Sequence, residues 1–190
     1  MSTAYFEEKT YQGVDFTKEK FEKGQYEICA FVNCNFSNCD LSGCAFTECE
    51  FNNCNLSNCR IIQTTFNDAR FKECKMMGVD FEHCSDYLFT LGFEACTLNL
   101  SSFYKRALKK TSFINCQMQE VDFIESDLSG SVFKGSDLKN AKFENTNLEK
   151  VDFRGAINYV FDPDQNRVKK AKFSLSHVVG LLGKYDITID

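Results

Sequence analysis

The sequence contains no tryptophan, one proline and two histidines in 190 residues. No apolar run approaches the roughly 18 residues that a membrane-spanning helix needs. Basic residues number 22 against 27 acidic ones. The chain therefore lacks the excess positive charge of a nucleic-acid-binding protein or of a polybasic membrane anchor. We expect neither direct nucleic-acid binding nor membrane attachment.

An export signal is also missing from the first residues, which carry Glu7, Glu8 and Lys9 and no apolar segment. We therefore expect a cytoplasmic protein. The sequence has 11 cysteines, and in a reducing compartment these remain thiols. An odd number of cysteines also argues against a closed disulfide framework.

Motifs for catalysis and for metal binding are absent as well. The two histidines, His83 and His177, accompany neither a nucleophile elbow nor a phosphate-binding loop. The cysteines recur as C-x4-C, which differs from the paired spacing of zinc sites. We predict no enzymatic activity, no catalytic residues, no bound metal and no cofactor. Cysteine here is interpreted as a small buried filler, although stacked thiols at a strand spacing would also permit disulfides.

The positive feature of the sequence is an apolar residue at every fifth position. This series runs without a miss from Phe6 to Phe81, slips by two residues across 82–87, resumes at Leu88 and ends at Phe153. It contains 17 of the 20 phenylalanines. A small residue precedes most of the central residues by two positions, and seven successive repeats from Cys29 to Cys59 use cysteine there. A period of five fits neither an α-helix nor a flat strand and predicts a chain that turns a corner every five residues.

This pattern resembles the A(D/N)Lxx motif of the pentapeptide-repeat family. Good copies are Cys39-Asp40-Leu41-Ser42-Gly43 and Ser126-Asp127-Leu128-Ser129-Gly130. The resemblance implies an all-β fold, a right-handed quadrilateral β-helix with four repeats per coil and about eight coils. We assign residues 1–173 to this solenoid, with the register slip at 82–87, and residues 174–190 to a short C-terminal helix and tail.

The central residues of the second half alternate between phenylalanine and leucine or methionine. With four sides per coil, this alternation puts phenylalanine on two opposite sides. It predicts one ladder of Phe93, Phe113, Phe133 and Phe153 that faces a second ladder of Phe103, Phe123 and Phe143.

Two charged residues, Asp86 and Arg106, occupy the small-residue position in repeats that are one coil apart. We expect them at the same corner of successive coils, as a buried ion pair with a structural role. A widened corner that binds a partner, next to the basic cluster of Lys105, Lys109 and Lys110, is the alternative. A solvated basic face would explain that cluster equally well.

The tail departs from the repeat. A turn around Pro163 precedes Ser174, a good helix N-cap, and apolar residues then follow at helical spacing. This segment either caps the last coil or joins a second chain. The residues that we expect at such a dimer interface are Leu175, Val178, Val179, Leu181, Leu182, Ile187 and Ile189.

A pentapeptide rod with such a tail resembles the Qnr-type fluoroquinolone-resistance proteins. That resemblance implies a non-enzymatic homodimer, joined through its C-termini, that mimics DNA and binds a type II topoisomerase (DNA gyrase or topoisomerase IV). Our candidate for an acidic partner-binding face consists of Glu120, Asp122, Glu125 and Asp127. The alternative is a structural or scaffolding module that has no topoisomerase role.

Overall fold

The computed structural model describes residues 4–185 and 187–188, so Ile189 of the predicted dimer interface lies outside the described residues. Each pentapeptide forms one side of a four-sided coil, and successive coils stack through parallel backbone pairing. Phe31 pairs with Phe51, and Phe51 with Phe71, which is an offset of 20 residues. Four repeats therefore complete one coil, and the predicted quadrilateral β-helix is confirmed.

We number the sides of the coil by their central residues and the levels of the stack from 1 to 9. Side 1 is centred on Phe6, Tyr26, Phe46, Phe66, Leu108, Leu128, Leu148 and Val168. Side 2 is centred on Tyr11, Phe31, Phe51, Phe71, Phe93, Phe113, Phe133, Phe153 and Phe173, at levels 1 to 9. Side 3 runs from Phe16 to Leu138, and side 4 runs from Phe21 to Phe143.

Sides 1 and 2 carry all the strands of the described residues. On side 1, β1 (Ala4–Glu7), β3 (Gly24–Glu27), β5 (Ala45–Thr47) and β7 (Thr65–Asn67) form a four-stranded parallel sheet. The sheet on side 2 has six strands: β2 (Thr10–Gln12), β4 (Ala30–Val32), β6 (Glu50–Asn52), β8 (Ala69–Lys72), β9 (Leu91–Glu94) and β10 (Ser112–Ile114). Beyond Ile114 the same stacking continues through single bridges, such as Val132 with Asp152.

The core is a narrow column of stacked rings. Phe113 stacks on Phe133 with ring centroids 4.9 Å apart and on Phe93 at 5.2 Å. Rings on side 4 meet them edge-on, since Phe123 lies 5.9 Å from Phe113 at an interplanar angle of 77°. Both the stacked and the edge-on geometry are favourable for aromatic pairs. The predicted pair of facing phenylalanine ladders is confirmed.

The corners of the coil depend on a left-handed residue two positions after most of the central residues. Asn33 has a φ of 55°, Asn53 has 51° and Gly43 has 76°. Asparagine and glycine adopt this conformation more readily than other residues. Their frequency at this position is therefore a sequence signal for the corner.

The pairing offset changes at level 5, where Phe71 pairs with Phe93, an offset of 22 residues. The extra residues bulge outward on side 1. Leu88, which we predicted as an inward-facing central residue, is 53% exposed with a φ of 50°. That prediction is wrong, because the neighbouring Phe89 packs against the core instead.

The tail folds over the last coil. A 3-10 helix, Pro163–Gln165, follows Asp162, whose side chain accepts a hydrogen bond from the Asp164 N–H. A second 3-10 helix spans Val178–Tyr185, and Leu181 packs against the core. In the described part of the chain no helix has the length and apolarity to cross a membrane.

Candidate functional surfaces

The four residues of the predicted acidic face are distributed around the coil. Asp122 lies on side 4, and Glu120 and Glu125 stand at the two corners that bound this side. Asp127 lies beyond the second corner, on side 1. The four carboxylates therefore do not share one flat side, and Asp127 points in a different direction from Asp122.

Nearby lysines further divide this acidic set. Lys105 Nζ lies 3.7 Å from Glu125 Oε2, and Lys109 Nζ lies 3.4 Å from Asp127 Oδ2. Among the described residues, no basic group lies within salt-bridge distance of Glu120 or Asp122. Uncompensated negative charge in this region is thus concentrated on Glu120 and Asp122.

The basic cluster does not form a patch of its own, apart from the acids. Lys105 and Lys109 each bridge to an acid one level further along the rod, and Lys105 Nζ also lies 4.7 Å from the ring centroid of Tyr104. These two lysines act as counter-ions to the predicted acidic face. Lys110 remains exposed on side 1.

Arg106 holds the outward bulge at level 5. Its Nη1 lies 2.8 Å from Asp86 Oδ1, and the Asp86 side chain is 92% exposed while that of Arg106 is 5% exposed. The expectation of two buried charges is therefore wrong for Asp86. The guanidinium also donates to the carbonyl oxygens of Cys84 and Ser85, each at 3.2 Å.

Phe89 completes the surroundings of Arg106. The Arg106 guanidinium lies 4.1 Å from the centroid of the Phe89 ring, within the range of a cation–π contact. Without these contacts the carbonyls of the bulge would lose donors in a region where burial makes unpaired groups costly. Arg106 is thus a structural residue, and most of its partners are backbone atoms that the sequence could not reveal.

Two further features of the surface have chemical character. A groove of about 490 Å³ lies on side 2, where Gly92 leaves a gap between Arg70 and Ser112. Salt bridges such as Lys72–Glu94, at 3.3 Å, compensate much of the charge on its walls. Next to the bulge, the ligand atoms of Asp80, Glu82 and His83 lie within 4.8 Å of one another. All three residues are at least partly exposed, and we assign no metal to them.

The cysteines form hydrogen-bonded columns at the corners. All 11 are free thiols, and ten of them are buried. Cys59 Sγ donates to the Phe36 carbonyl at 2.8 Å, and Thr64 Oγ1 and Ser131 Oγ make the same contact with Leu41 and Leu108. The small-residue position therefore favours a donor as well as small size, which explains why cysteine, serine and threonine recur there.

The tail presents apolar side chains to solvent. A 3-10 helix has three residues per turn, so Val178 and Leu181 lie on one side of it and Val179 and Leu182 on the next. Val178 and Leu181 are partly buried, whereas Val179 is 50% exposed and Leu175 is 92% exposed. The apolar residues that we predicted at helical spacing are therefore divided between a capping side and an exposed side. Ile187 also belongs to the exposed set.

Ser174, predicted as the helix N-cap, has a different role. Its Oγ accepts a hydrogen bond from the Gly155 N–H at 3.1 Å, while its carbonyl accepts from the N–H groups of His177 and Val178. The side chain thus ties the tail to the preceding level of the solenoid. Lys184 adds a second connection through salt bridges to Asp162 and Asp164.

A chain made of stacked five-residue sides defines a class of repeat protein. Residues 44–112 match the profile described as a pentapeptide repeat region, and residues 116–155 match the profile of eight pentapeptide repeats. Together these segments cover more than half of the chain. The chain belongs to the pentapeptide-repeat family.

Two solved structures share the fold of this chain. A trypsin-treated form of QnrB1, described as a plasmid-mediated fluoroquinolone resistance protein, is similar with a TM-score of 0.72 and 16% identity, covering 98% of this chain and 92% of that chain. A second trypsin-treated form of QnrB1 is similar with a TM-score of 0.59 and 18% identity, covering 98% and 100%. At these identities the similarity establishes the fold. No curated protein matches the sequence of this chain.

Proposed function

We propose that this chain is a non-enzymatic, Qnr-like protein that binds a type II topoisomerase, DNA gyrase or topoisomerase IV, and thereby modulates sensitivity to fluoroquinolones. The observation that carries the proposal is the match to QnrB1 along nearly the whole length of both chains. A rod would fit a DNA-binding channel because of its overall length, its cross-section and the position of its tail. Binding would take place in the cytoplasm.

Charge limits how closely the rod can imitate DNA. Nine levels at the strand spacing of about 4.8 Å give a rod roughly 38 Å long. A net charge of −5 over that length is sparse beside one charge per roughly 1.7 Å in duplex DNA. Recognition would therefore depend on a local group of carboxylates. Glu120 and Asp122 are the members of the predicted acidic face that fit this role, because no basic group in the described part of the chain lies within salt-bridge distance of them.

The direct test is a gyrase supercoiling assay in the presence of a fluoroquinolone. We expect micromolar protein to restore supercoiling, and the double variant Glu120→Lys, Asp122→Lys to lose this protection. The matched control is Glu73→Lys, Glu94→Lys on side 2, which changes the net charge equally and should protect as well as the parent. Absence of protection by the parent protein would refute the proposal.

The second candidate function is a scaffold for protein association without a topoisomerase role. The observation in its favour is the apolar side of the tail, Leu175 and Val179 among its members, which the described residues leave exposed. Such a surface fits a C-terminal homodimer. A dimeric protein that fails to protect gyrase would support this candidate.

A further inference from the structure

Side 1 changes the sign of its charge at the bulge. Its outward positions are the residue before each central residue and the two residues after it. At levels 1 to 4 these positions contain five carboxylates and no lysine, arginine or histidine. The five are Glu7, Glu8, Glu27, Glu48 and Asp68.

At levels 6 to 9 the same positions are dominated by cations. Six basic residues occur there, with two acids, Asp127 and Glu149, that are already paired with Lys109 and Arg167. The six are Lys109, Lys110, Lys150, Arg167, Lys169 and Lys170.

The two groups of charges lie along one edge of the side. Every one of the five acids, and every cation except Arg167, occupies the first or second position after a central residue. Because successive levels are stacked with the same rise, the acidic and the basic halves have the same spacing along the rod. A copy of this side turned end over end would therefore present cations opposite the acids of levels 1, 2 and 4, whereas Glu48 at level 3 would face level 7, which has no cation at these positions.

An exposed apolar pair stands at the midpoint. Tyr87 is 71% exposed and Leu88 is 53% exposed, both on the level 5 bulge of side 1. The Arg106 guanidinium fixes the backbone of this bulge through its hydrogen bonds to the carbonyls of Cys84 and Ser85. An apolar centre between charged ends is the usual composition of a specific protein interface.

We propose that side 1 binds side 1 of a second copy, with the two rods antiparallel and the two-fold axis at level 5. This arrangement places Glu7 and Glu8 opposite Lys169 and Lys170 of the second copy, Glu27 opposite its Lys150, and Asp68 opposite its Lys110. Tyr87 and Leu88 of the two copies meet on the axis. A two-fold parallel pairing would set the charged edge of each rod against the largely uncharged edge of the other and would form none of these pairs.

Most of the acids are available for such pairing. Glu7, Glu8 and Glu48 are exposed, and no basic side chain of the described residues lies within salt-bridge distance of any of them. Asp68 has one exposed contact with Arg70, at 3.4 Å. Glu27 accepts a hydrogen bond from Tyr5 Oη at 2.7 Å, and no basic side chain of the described residues lies within salt-bridge distance of it.

The area of side 1 determines how strong an association between two copies we expect. A strip about 38 Å long and about 15 Å wide buries on the order of 1,100 Å² in total, near the lower limit of specific interfaces. The association is therefore weak and driven by charge, and about 0.5 M salt should weaken it by about tenfold or more. This pairing is independent of both the topoisomerase proposal and the tail-to-tail contact.

The test is zero-length cross-linking of the full chain with a carbodiimide in dilute salt, followed by mass spectrometry of peptides. Glu8 and Lys170 lie at opposite ends of one rod, roughly 38 Å apart, so a direct link between them must join two copies. A tail-to-tail dimer keeps the residues at Glu8 furthest apart and cannot give this link. We expect links from Glu7 or Glu8 to Lys169 or Lys170.

Charge reversal then provides a rescue experiment. Glu7→Lys with Glu8→Lys should abolish association through side 1, as should Lys169→Glu with Lys170→Glu, because each places like charges opposite one another. Combining all four substitutions in one chain should restore it, as measured by sedimentation equilibrium in dilute salt. The control Glu73→Lys, Glu94→Lys on side 2 should leave it unchanged. Absence of intermolecular links in the parent, or failure of the combined variant to recover, would overturn the proposal.

Discussion

At the scale of single residues, Arg106 shows how one side chain accommodates a two-residue insertion. Its charge is buried, yet its ionic partner Asp86 is almost fully solvated. An exposed partner contributes little, since water screens the pair. The backbone carbonyls of the bulge and the Phe89 ring are then the contacts that matter for stability.

We predict that Arg106→Ala lowers the free energy of unfolding by about 2–4 kcal/mol, because buried carbonyls lose their donor. Asp86→Ala should change it by less than about 1 kcal/mol. Urea unfolding of both variants against the parent measures the difference. Equal losses in the two variants would show that the bulge is held by the ion pair and not by the hydrogen bonds from Arg106 to the backbone carbonyls.

Ile28 is a residue whose type conflicts with its backbone. It has a φ of 52° and is 48% exposed, and β-branched residues adopt this left-handed region poorly. Replacement by asparagine should raise the unfolding free energy by about 1 kcal/mol. Ile62 is exposed to a similar extent without a positive φ, so Ile62→Asn is the matched control, expected to stay within about 0.5 kcal/mol. A destabilised Ile28→Asn variant would contradict the conformational argument.

At the scale of elements, the rod is a set of ladders that bind each level to the next. Phe123 is fully buried, stacked on Phe103 at 5.4 Å and on Phe143 at 5.3 Å. Phe123→Ala should cost about 3–5 kcal/mol, whereas the outward Lys139→Ala should stay within about 0.5 kcal/mol. Similar denaturation midpoints for these two variants would contradict the inward register of the ladder.

The buried cysteines predict that the stability of the fold decreases in alkali. Burial raises the pKa of the Cys49, Cys59 and Cys84 thiols to about 12, from an ordinary value of 9.0. Between those values the unfolded chain releases protons that the folded chain retains, so stability is complete below pH 9 and falls as the pH rises towards 12. Each pH unit in this window is worth about 1.4 kcal/mol for every such thiol.

Urea midpoints measured with reductant, near neutral pH and above about pH 10, should show this fall. Cys59→Ser keeps a donor for the Phe36 carbonyl but does not titrate, so its stability should decline less steeply. An identical pH dependence in the parent and in Cys59→Ser would contradict the prediction that the buried Cys59 thiol contributes to the loss of stability.

At the scale of the whole molecule, the tail both closes the solenoid and leaves an apolar surface. Leu181 packs on the core, while Leu175 and Val179 point to solvent. We predict that Leu175→Ser with Val179→Ser converts a C-terminal dimer into a monomer without unfolding the cap. Light scattering at high salt, where the side 1 pairing is screened, makes this measurement.

The control for the tail is Leu100→Ser with Met77→Ser, which removes exposed apolar groups from side 3 and its corner. These substitutions should leave the molecular mass unchanged. A parent protein that is already monomeric at high salt would show that the tail is only a cap.

Much of this architecture could be predicted because a period of five admits few solutions. The spacing of Phe93, Phe103 and Phe113 alone led to the two facing ladders, which the ring geometry confirms. The prediction for Leu88 was wrong because it only counted five-residue steps along the chain. Whether Leu88 or Phe89 turns inward depends on packing around Arg106, which no local pattern expresses.

The surfaces were harder to predict than the core. Glu120, Asp122, Glu125 and Asp127 are close in sequence, but the chain turns a corner every five residues, so sequence neighbours point in different directions. Residues one coil apart, such as Lys105 and Glu125, become neighbours instead. The charged strip of side 1 emerges only when positions about 20 residues apart are read together.

The sequence by itself determined the repeat, the identity of most of the inward residues and the family, because burial of one apolar residue in five is a local requirement repeated along the chain. Only the tertiary structure decided where the bulge turns, which carboxylates keep a counter-ion and which side of the tail faces solvent. These depend on contacts between residues one coil or more apart. Such contacts are fixed by the packing of neighbouring levels and leave no periodic signal in the sequence.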